Sequence, residues 1–527
     1  METTETANPG RIDTDEFGPL EGPELVFAVT GAVGTNLSLL CKVISEALSE
    51  VRYSDAKTIR LSSLLRSFDR YQQIPESSLD ERTIGLMDAG DELRSTFGRG
   101  DAMALLGVSA VQEERIRLTG DVQTPAPRQA YILHSLKRPD EVRTLRRIYG
   151  RAFYLIAAFS TRESRVASLA AAIAQSHHDF DHDSYRKVAE ELVKRDEADL
   201  SKALGQDVRD TFPLADLFVD AANRDSIGKS VGRFIDLLFG HPFHTPTPDE
   251  FGMFHARASA LRSADLSRQV GAAIVGKPGE IISLGYNDVP RPHGGHYWPG
   301  DDIDYRDFVL GYDPSARIKQ EMVAEILHIL QNNSWLSDDK TDEEIQTLVD
   351  EALSEDNDKG VLRHAQIMNI LEFGRVVHAE MSAITEASRR GVSIREATLY
   401  CTTFPCHICA RHIIASGISR MVYIEPYPKS MAQRLYPEAI SIDRKMVSAD
   451  MVKFEPFFGV SPARYLDLFE PPKKRRRENG DAVEWKRSSA EPRLERMVGS
   501  YLGIETLAMG VLRKGVAVFT ERMGTAR

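Results

Sequence analysis

Apolar runs alternate with helix-like patterns through the first half of the chain. A buried-strand pattern at 24–30 leads into a glycine turn and an amphipathic stretch, and segment 128–149 reads as strand, loop and basic helix. Further strand patterns lie at 151–160 and 215–223, each followed by a helix pattern. Strands that alternate with helices predict a mostly parallel sheet with helices, which is an α/β fold.

The second half begins differently. A helix pattern near 253–268 precedes two apolar runs around a Gly-Lys-Pro-Gly turn, which predict a β-hairpin ending at Asn287. A long insertion at 288–375 follows, with a helix-like segment near 318–330. Insertions of this length are often lids over a site.

Composition shifts suggest where domains meet. The segment 241–250 is rich in Pro and Thr and marks a joint, and a basic run interrupts the chain after residue 470. We therefore expect a flexible tail at 1–23, a first domain at 24–240, a second at 250–470, a charged linker at 471–491 and a C-terminal docking segment at 492–527.

Charge and cysteine content narrow the function. The 527 residues carry a formal net charge of -12, which disfavours a uniformly basic nucleic-acid-binding surface. The four cysteines are Cys41, Cys401, Cys406 and Cys409, and three of them fall in one short segment, which suits a metal or reduced thiols. No signal peptide or membrane-spanning run is visible, so we expect a cytoplasmic protein without a membrane partner.

The chemistry concentrates between residues 376 and 423. His378 and Glu380 stand in His-x-Glu spacing, and Pro405 precedes Cys406 and Cys409, which is the H-x-E…P-C-x-x-C signature of zinc deaminases. A helix beginning near Cys406 places both sulfurs on one face. Two thiolates and one imidazole leave a tetrahedral zinc open at its fourth position. A helix beginning near His378 leaves Glu380 as a proton shuttle rather than a ligand.

A structural zinc or a reduced cysteine pair is the alternative interpretation of the same cysteines. A structural site is normally closed by four protein ligands. His407 offers a fourth, but it lies between the cysteines and is expected to point elsewhere.

The turn after the first strand occupies the frame of a phosphate-binding loop. We expect a nucleotide-binding turn whose backbone N–H groups bind phosphate, formed by Gly31, Gly34, Thr35 and Ser38. Mg²⁺ is expected to bind together with the nucleotide. Leu37 stands where that loop carries its lysine, so we expect binding without efficient phosphoryl transfer. Arg162 and Arg165, in the helix after the strand at 151–160, either replace the missing charge or form a solvated helix face.

Two further groups are candidates for contacts with a ligand. Tyr427, Lys429 and Ser430 follow a strand end, where loops of α/β folds commonly line ligand sites, and a plain surface turn is the alternative. His293 and His296 are expected to be loop residues near a substrate or subunit contact, with a second metal as the less favoured interpretation.

Residues 255–430 closely resemble the deoxycytidylate deaminases of the cytidine deaminase superfamily, through the hairpin, the His-x-Glu and the P-C-x-x-C elements. The resemblance implies an α/β/α domain with one zinc ion, and it implies that Asn287 hydrogen-bonds the deoxyribose. The chain departs at Asp288, often Gly in such enzymes, and at Ser382, often Asn.

The whole layout resembles bacterial anti-phage deoxycytidine nucleotide deaminases, with a P-loop kinase-like domain and a degenerate Walker A turn in front. This resemblance implies zinc-dependent deamination of dCTP or dCMP that depletes dCTP during infection. It also implies restraint until infection, in some relatives by an inhibitory small RNA, and we expect a homo-oligomer. The alternatives are a housekeeping dCMP deaminase, a nucleic-acid cytidine deaminase, and a nucleotide-sensing protein with a vestigial site.

Overall fold

The protein is represented by a computed structural model, and two compact units divide its chain. The front unit comprises Met1–Glu250 and Pro456–Arg527, and the inserted unit comprises Phe251–Glu455. The structure describes residues 22–53, 56–197, 199, 202, 204–354, 360–363, 365–425, 430–442, 450–471, 475–494 and 500–523. The predicted flexible tail at 1–23 therefore lies almost entirely outside the described residues.

The elements run in chain order as follows. The strands are β1 Leu25–Thr30, β2 Lys57–Arg60, β3 Ala130–His134, β4 Phe153–Phe159, β5 Leu217–Asp220, β6 Gly271–Val275, β7 Ile281–Tyr286, β8 Thr398–Thr403, β9 Arg420–Glu425, β10 Ile440–Ser441, β11 Val452–Pro456 and β12 Gly459–Val460. The helices are α1 Leu37–Ser49, α2 Leu61–Leu64, α3 Leu79–Phe97, α4 Ala102–Thr119, α5 Pro139–Tyr149, α6 Arg162–Ser176, α7 Arg186–Glu197, α8 Val208–Thr211, α9 Arg224–Leu238, α10 Pro248–Ala260, α11 Asp307–Leu310, α12 Pro314–Asn332, α13 Ile345–Ala352, α14 Ala379–Arg389, α15 His407–Ala415, α16 Ala432–Leu435, α17 Tyr465–Phe469 and α18 Ser500–Met523.

The front unit is built on a sheet in the order β12-β5-β4-β1-β3-β2. The five strands β1 to β5 are mutually parallel, and β12 pairs antiparallel with β5. Because helices cover both faces of a parallel sheet, its strands read as continuous apolar runs, and all six residues of β1 are buried. The predicted mostly parallel sheet is confirmed.

Helices lie on both faces of this sheet. Phe27 and Ile132 of the sheet share one apolar core with Leu40 of α1 and Phe234 of α9. On the other face α4 approaches so closely that a Cβ on Gly107 would lie 2.8 Å from the Leu61 side chain and 3.7 Å from that of Leu133. The sheet thus has the two helical layers of an α/β fold.

The chain returns to the front unit earlier than the sequence indicated. The predicted second domain ended at residue 470, but β12 adds to the front sheet, and the Arg464 guanidinium lies 2.9 Å from the Asp216 carboxylate. A two-residue strand has no period to detect, so the sequence placed this boundary wrongly.

The segment predicted to be a charged linker is partly packed. The Trp485 indole donates to the Phe239 carbonyl, and the Arg487 guanidinium pairs with the buried Asp236 carboxylate. The C-terminal segment docks as α18, which packs against α3 and α4 of the same unit. The sequence predicted the docking but not its place.

The inserted unit contains the second sheet, in the order β10-β11-β9-β8-β6-β7. The predicted hairpin is confirmed as the antiparallel pair β6–β7, and β8 runs antiparallel to β6 and parallel to β9. On one face α10 seats against Gly271, whose added Cβ would lie 2.0 Å from the Ala256 carbonyl. On the other face Ala272 joins a core with Ala379 of α14 and Ala410 of α15. These layers form the expected α/β/α arrangement.

Helix boundaries in this unit differ from the periodic pattern in one place. The helix predicted near 253–268 begins at Pro248 and ends at Ala260. The Asp265 carboxylate accepts from the Ser267 and Arg268 backbone N–H groups and so holds a turn where the pattern continued. In the insertion, the predicted helix near 318–330 lies within α12. Among the described residues, no helix has both the length and the apolar character to cross a bilayer.

Candidate metal centre

The imidazole of His378 stands at the beginning of a helix, as the spacing of the motif predicts. His378 is the N-cap residue of α14, and its neighbour Val377 forms an antiparallel bridge with Asp288 beyond the end of β7. The helix lies tightly on β7, because a Cβ on Gly285 would be 2.1 Å from the Ala379 carbonyl oxygen. The hairpin thereby fixes where the His-x-Glu pair begins.

The two cysteines stand at the beginning of a second helix. Strand β8 leads through Pro405 to Cys406, the N-cap residue of α15, whose sulfur accepts from the Cys409 backbone N–H at 3.4 Å. Both predicted helix beginnings are confirmed. Free N–H groups at a helix N-terminus favour the thiolate, which is the ligand form of cysteine.

The three side chains meet with the geometry of a tetrahedral metal site. The His378 Nδ1 atom lies 3.4 Å from each of the Cys406 and Cys409 sulfurs. Metal–ligand bonds of about 2.0–2.3 Å at a tetrahedral zinc place such atoms about 3.6 Å apart, so the donor set fits zinc. Within the described parts of the chain, it is the one group of His, Cys, Asp or Glu donors that converges closely enough for a metal ion.

Charge in this cluster is polarised between sulfur and imidazole. The hydrogen bond from the Cys409 thiol and the neighbouring His378 lower the pKa of Cys406 to about 4. The same contact with Cys406 raises the pKa of His378 to about 9, against the effect of burial. The pKa of Cys409 is raised by its hydrogen bond to Cys406 and by burial. The opposite shifts favour the thiolate at Cys406 and the thiol at Cys409.

Glu380 lies in the first turn of α14 and is only 3% exposed. Burial raises the pKa of its carboxyl, and the Cys406 thiolate acts in the same direction. The converging donor group consists of His378, Cys406 and Cys409 and does not include Glu380. A buried carboxyl with a raised pKa beside a metal site is suited to carrying a proton.

Asn287 lies at the end of β7 with its amide already engaged. Its Oδ1 accepts from the Val270 N–H at 2.7 Å, and its Nδ2 donates to the Arg268 carbonyl at 2.8 Å. Asp288 and Ser382, the two departures from the resembled family, are both buried, at 2% and 5% exposure. The Asp288 carboxylate accepts from the Val289 N–H. The Asn287 amide thus joins the end of β7 to the residues directly before β6.

One residue near the centre, Arg268, was missed by the sequence analysis. The half-exposed Arg268 guanidinium donates to Thr403 Oγ1 at 3.4 Å, at the end of β8, and lies 3.3 Å from a Glu425 carboxylate oxygen. No motif marks Arg268; its only sequence signal is its place directly before the hairpin. Ser430, which was predicted, donates to the Pro405 carbonyl at 2.9 Å. Tyr427 and Lys429 lie outside the described residues.

The insertion histidines form no metal group within the part of the chain that the structure describes. His296 packs its ring 4.6 Å from the Tyr286 ring, and burial lowers its pKa to about 4. Arg262 stacks over the Tyr286 and Trp298 rings in the same cavity, which His293 also lines. The loop placement expected for both histidines is confirmed.

The turn between β1 and α1 contains Gly31, Gly34 and Thr35, and Ser38 is the second residue of the helix. Gly34 has a positive φ of 89°, and a Cβ there would lie 2.5 Å from the Arg165 carbonyl oxygen. The Ser38 hydroxyl accepts from the Arg60 guanidinium.

The two arginines of α6 differ in their surroundings. Arg162 is exposed, whereas Arg165 is 8% exposed and bonds to the Ser160 carbonyl and to Glu197. A solvated helix face is therefore the wrong interpretation for Arg165.

Comparison with known proteins identifies the inserted region. Residues 246–425 match the model of the cytidine and deoxycytidylate deaminase zinc-binding region, about a third of the chain. This region is therefore a deoxycytidylate deaminase domain of the cytidine deaminase superfamily, and His378, Glu380, Cys406 and Cys409 all lie within it.

Individual relatives are similar over short stretches. The deoxycytidylate deaminase of Enterobacteria phage T4 is 50% identical over 54 residues, 10% of this chain and 28% of that protein. A probable deoxycytidylate deaminase of Drosophila melanogaster is 26% identical over 201 residues, 37% of this chain and 70% of that protein. The phage T2 and T4 enzymes are thus matched over less than a third of their length.

Among solved structures, the dCMP deaminase of cyanophage S-TIM5 in complex with dCMP and dUMP aligns over 41% of this chain and all of that chain. The identity is 16% and the TM-score is 0.22.

Proposed function

We propose that the protein is a zinc-dependent hydrolase that deaminates deoxycytidine nucleotides to deoxyuridine nucleotides and ammonia. One observation carries the proposal: an imidazole and two sulfurs converge beside a buried carboxyl, inside a domain of the deoxycytidylate deaminase family. Three protein ligands leave a coordination position open, which a structural zinc site normally lacks.

His378, Cys406 and Cys409 would hold the metal, and zinc, when bound, supplies an activated water for attack on C4 of cytosine. Glu380 would accept one proton from the attacking water and deliver it to N3 of the ring. It would then accept the second proton, from the oxygen added at C4, and deliver it to the amino group, which leaves as ammonia. The burial of Glu380 supports this role. Burial raises the pKa of the carboxyl, and a carboxyl whose pKa is closer to the working pH can both accept and donate a proton during turnover.

For the substrate, we propose a free nucleotide rather than a polynucleotide. The net charge of -12 opposes binding of a long polyanion, whereas a single phosphate needs only one or two local cations. Arg268 is suited to this role, because its guanidinium is half exposed and stands at the end of β8, directly before the cysteine segment. Lys429 and Tyr427 remain proposed contacts to the phosphate or sugar, and Asn287 to the sugar through its remaining hydrogen-bonding capacity.

We further propose that dCTP as well as dCMP is a substrate and that the activity serves antiviral defence by depleting dCTP. The support is the layout: a parallel α/β unit, resembling a P-loop kinase, accompanies the deaminase domain in one chain. A homo-oligomer and restraint by a small RNA belong to the same proposal. A housekeeping supply of dUMP is the alternative.

The test is ammonia release from purified protein with dCMP, dCTP, CTP and single-stranded DNA in parallel, and Glu380→Gln is the inactive control. We expect turnover of one or both deoxynucleotides. Equal or faster turnover of single-stranded DNA refutes the substrate assignment. Activity on dCMP alone favours the housekeeping alternative. If cells that carry the Glu380→Gln protein resist phage infection as well as cells that carry the unmodified protein, deamination has no role in defence.

A further inference from the structure

The phosphate-loop-like turn of the front unit already has a carboxylate in it. The Asp196 Oδ2 atom, from the end of α7, accepts from the Val33 backbone N–H at 2.7 Å. The same oxygen accepts from the Lys137 ammonium at 2.9 Å, and that ammonium also donates to the Gly31 carbonyl at 3.1 Å. The Val33 amide of this turn and the Lys137 ammonium beside it therefore already bind an anion, which is the protein's own Asp196 carboxylate.

Lys137 supplies the charge that Leu37 does not. It follows β3, the parallel neighbour of β1, so its ammonium arrives at the carboxyl edge of the sheet from another strand. Ligands of open α/β sheets bind at this edge, where the chain reverses its direction of winding. Here β1 lies between β3 and β4, so the turn stands at that reversal.

Asp196 is placed against local preference. It lies in the last turn of α7, beside Glu197, at the end of a helix where the dipole disfavours acids. It is fully buried, and its second oxygen, Oδ1, has no hydrogen-bond partner among the described residues. Burial of a carboxylate costs free energy unless the group is well paired. The stabilisation of Asp196 therefore comes from its contacts with Val33 N–H and with Lys137 beside the turn.

Two ion pairs lie beside the turn. Lys137 pairs with Asp196, and Arg165 pairs with Glu197, each as a close ion pair. A polyphosphate entering this turn would meet the Asp196 carboxylate at Val33 N–H. Like charges at that distance repel, so the two anions are mutually exclusive.

We propose that the turn from Gly31 to Asn36 is a self-occupied anion site, in which Asp196 stands in for the phosphate of a di- or triphosphate ligand. Such a ligand binds only when the end of α7 withdraws and leaves Val33 N–H and Lys137 to the phosphate. The site is thereby closed at low ligand concentration, and ligand binding changes the position of α7. This inference does not depend on the deaminase proposal.

Binding is tested on the full chain by isothermal titration with tripolyphosphate and, separately, a non-hydrolysable ATP analogue, each with and without Mg²⁺. We expect Asp196→Asn to tighten ligand binding by about tenfold or more. The substitution removes the repulsion between the carboxylate and the phosphate, while the Val33 N–H can still donate to the ligand. Adding Lys137→Met should abolish the gain. Glu190→Gln, an exposed acid on the same helix, is the matched control and should change nothing. Tighter binding of the analogue than of tripolyphosphate identifies a nucleotide, and equal binding identifies free polyphosphate.

Hydrogen exchange of the unmodified protein keeps the proposal testable if Asp196→Asn fails to fold. Saturating ligand should increase exchange in the last turn of α7 while it protects the turn from Gly31 to Asn36. Ligand binding without a change in α7, or no binding by the unmodified protein at any ligand concentration, overturns the proposal. A folded Asp196→Asn protein with unaltered affinity does the same, and it would leave Asp196–Lys137 as a structural ion pair.

Discussion

At the scale of single residues, the metal centre assigns metal binding and proton transfer to different side chains. His378, Cys406 and Cys409 converge on one point, while Glu380 is buried beside them without joining the donor group. The two roles make opposite predictions for zinc content, so they can be distinguished by substitution.

We expect Glu380→Gln to reduce deamination by about 10²–10⁴-fold, the contribution typical of a general acid–base group, while zinc remains bound. The amide has nearly the shape of the carboxyl but cannot carry the proton. Turnover of dCMP or dCTP and metal analysis by mass spectrometry check the two parts. Loss of zinc from this variant would mean that Glu380 is a ligand.

Cys409→Ser provides the contrasting pattern. Removing one of three protein ligands should release zinc and activity together, because two ligands hold the ion poorly. Cys41→Ser, in the front unit and apart from the metal cluster, is the matched control for thiol loss and should retain zinc. Full zinc occupancy in Cys409→Ser contradicts the three-ligand geometry.

At the scale of elements, α14 is positioned by its close approach to β7. Gly285 leaves room for the Ala379 carbonyl, and the Ser283 hydroxyl donates to the Ala383 carbonyl on the next turn. Since His378 and Glu380 stand at the beginning of this helix, the packing of α14 on β7 determines where both side chains lie.

We expect Gly285→Ala to destabilise the protein by about 1–3 kcal/mol, the range for overpacking, and to weaken zinc retention. The new Cβ would lie 2.1 Å from the Ala379 oxygen, so the helix must move. Gly374→Ala, whose Cβ would have a single contact among the described residues, at 3.5 Å, is the control in the same unit. Urea denaturation and zinc analysis measure both effects; equal stability of the two variants would show that α14 is not seated by Gly285.

The attachment of α18 relies on a buried charge cluster. Arg115, fully buried in α4, pairs with Glu24 before β1 and with Glu505 in α18. The Tyr501 and Tyr131 hydroxyls donate to Glu24. One guanidinium thus joins three distant parts of the sequence.

We expect Arg115→Met to cost about 3–5 kcal/mol, because it leaves two buried carboxylates without their cation. Arg117→Met, two positions away and mostly exposed, should stay within about 0.5 kcal/mol. Denaturant midpoints give the comparison, and limited proteolysis should release α18 from the first variant only. Similar midpoints would show that the cluster contributes little to stability.

At the scale of the whole molecule, the inserted unit interrupts the front unit at two points that lie side by side. The buried Glu250 carboxylate, where the front unit is left, accepts from the Val460 N–H at 2.8 Å, where the chain has returned. Arg233 pairs with the same carboxylate. Domains are inserted most readily where the two connecting points are close.

We therefore expect the front unit to fold when residues 251–455 are replaced by a short Gly/Ser spacer. Residues 1–250 alone should be far less stable, because they lack β12 and the α18 partner of Arg115. Cooperative thermal unfolding, followed by circular dichroism, distinguishes the two proteins. Comparable stability of the shorter one would mean that the returning segment is dispensable.

Much of this molecule was determined by local sequence. The strands β1, β3 and β4 were visible as continuous apolar runs, because both faces of a parallel sheet are buried, and the β6–β7 hairpin was visible as two apolar runs around a turn. The His-x-Glu and Pro-Cys-x-x-Cys spacings placed the metal ligands at two helix beginnings, since a helix start fixes short-range geometry. Those features depend on residues close together in the chain.

What the tertiary structure alone decided depends on residues far apart. Asp196 lies 163 positions from Val33, and Glu505 lies 390 from Arg115, so no local pattern announces either contact. The early return of the chain through β12 follows from pairing with β5, not from its two residues. Periodicity reports only which face of an element is buried, and it is silent about which distant element buries it.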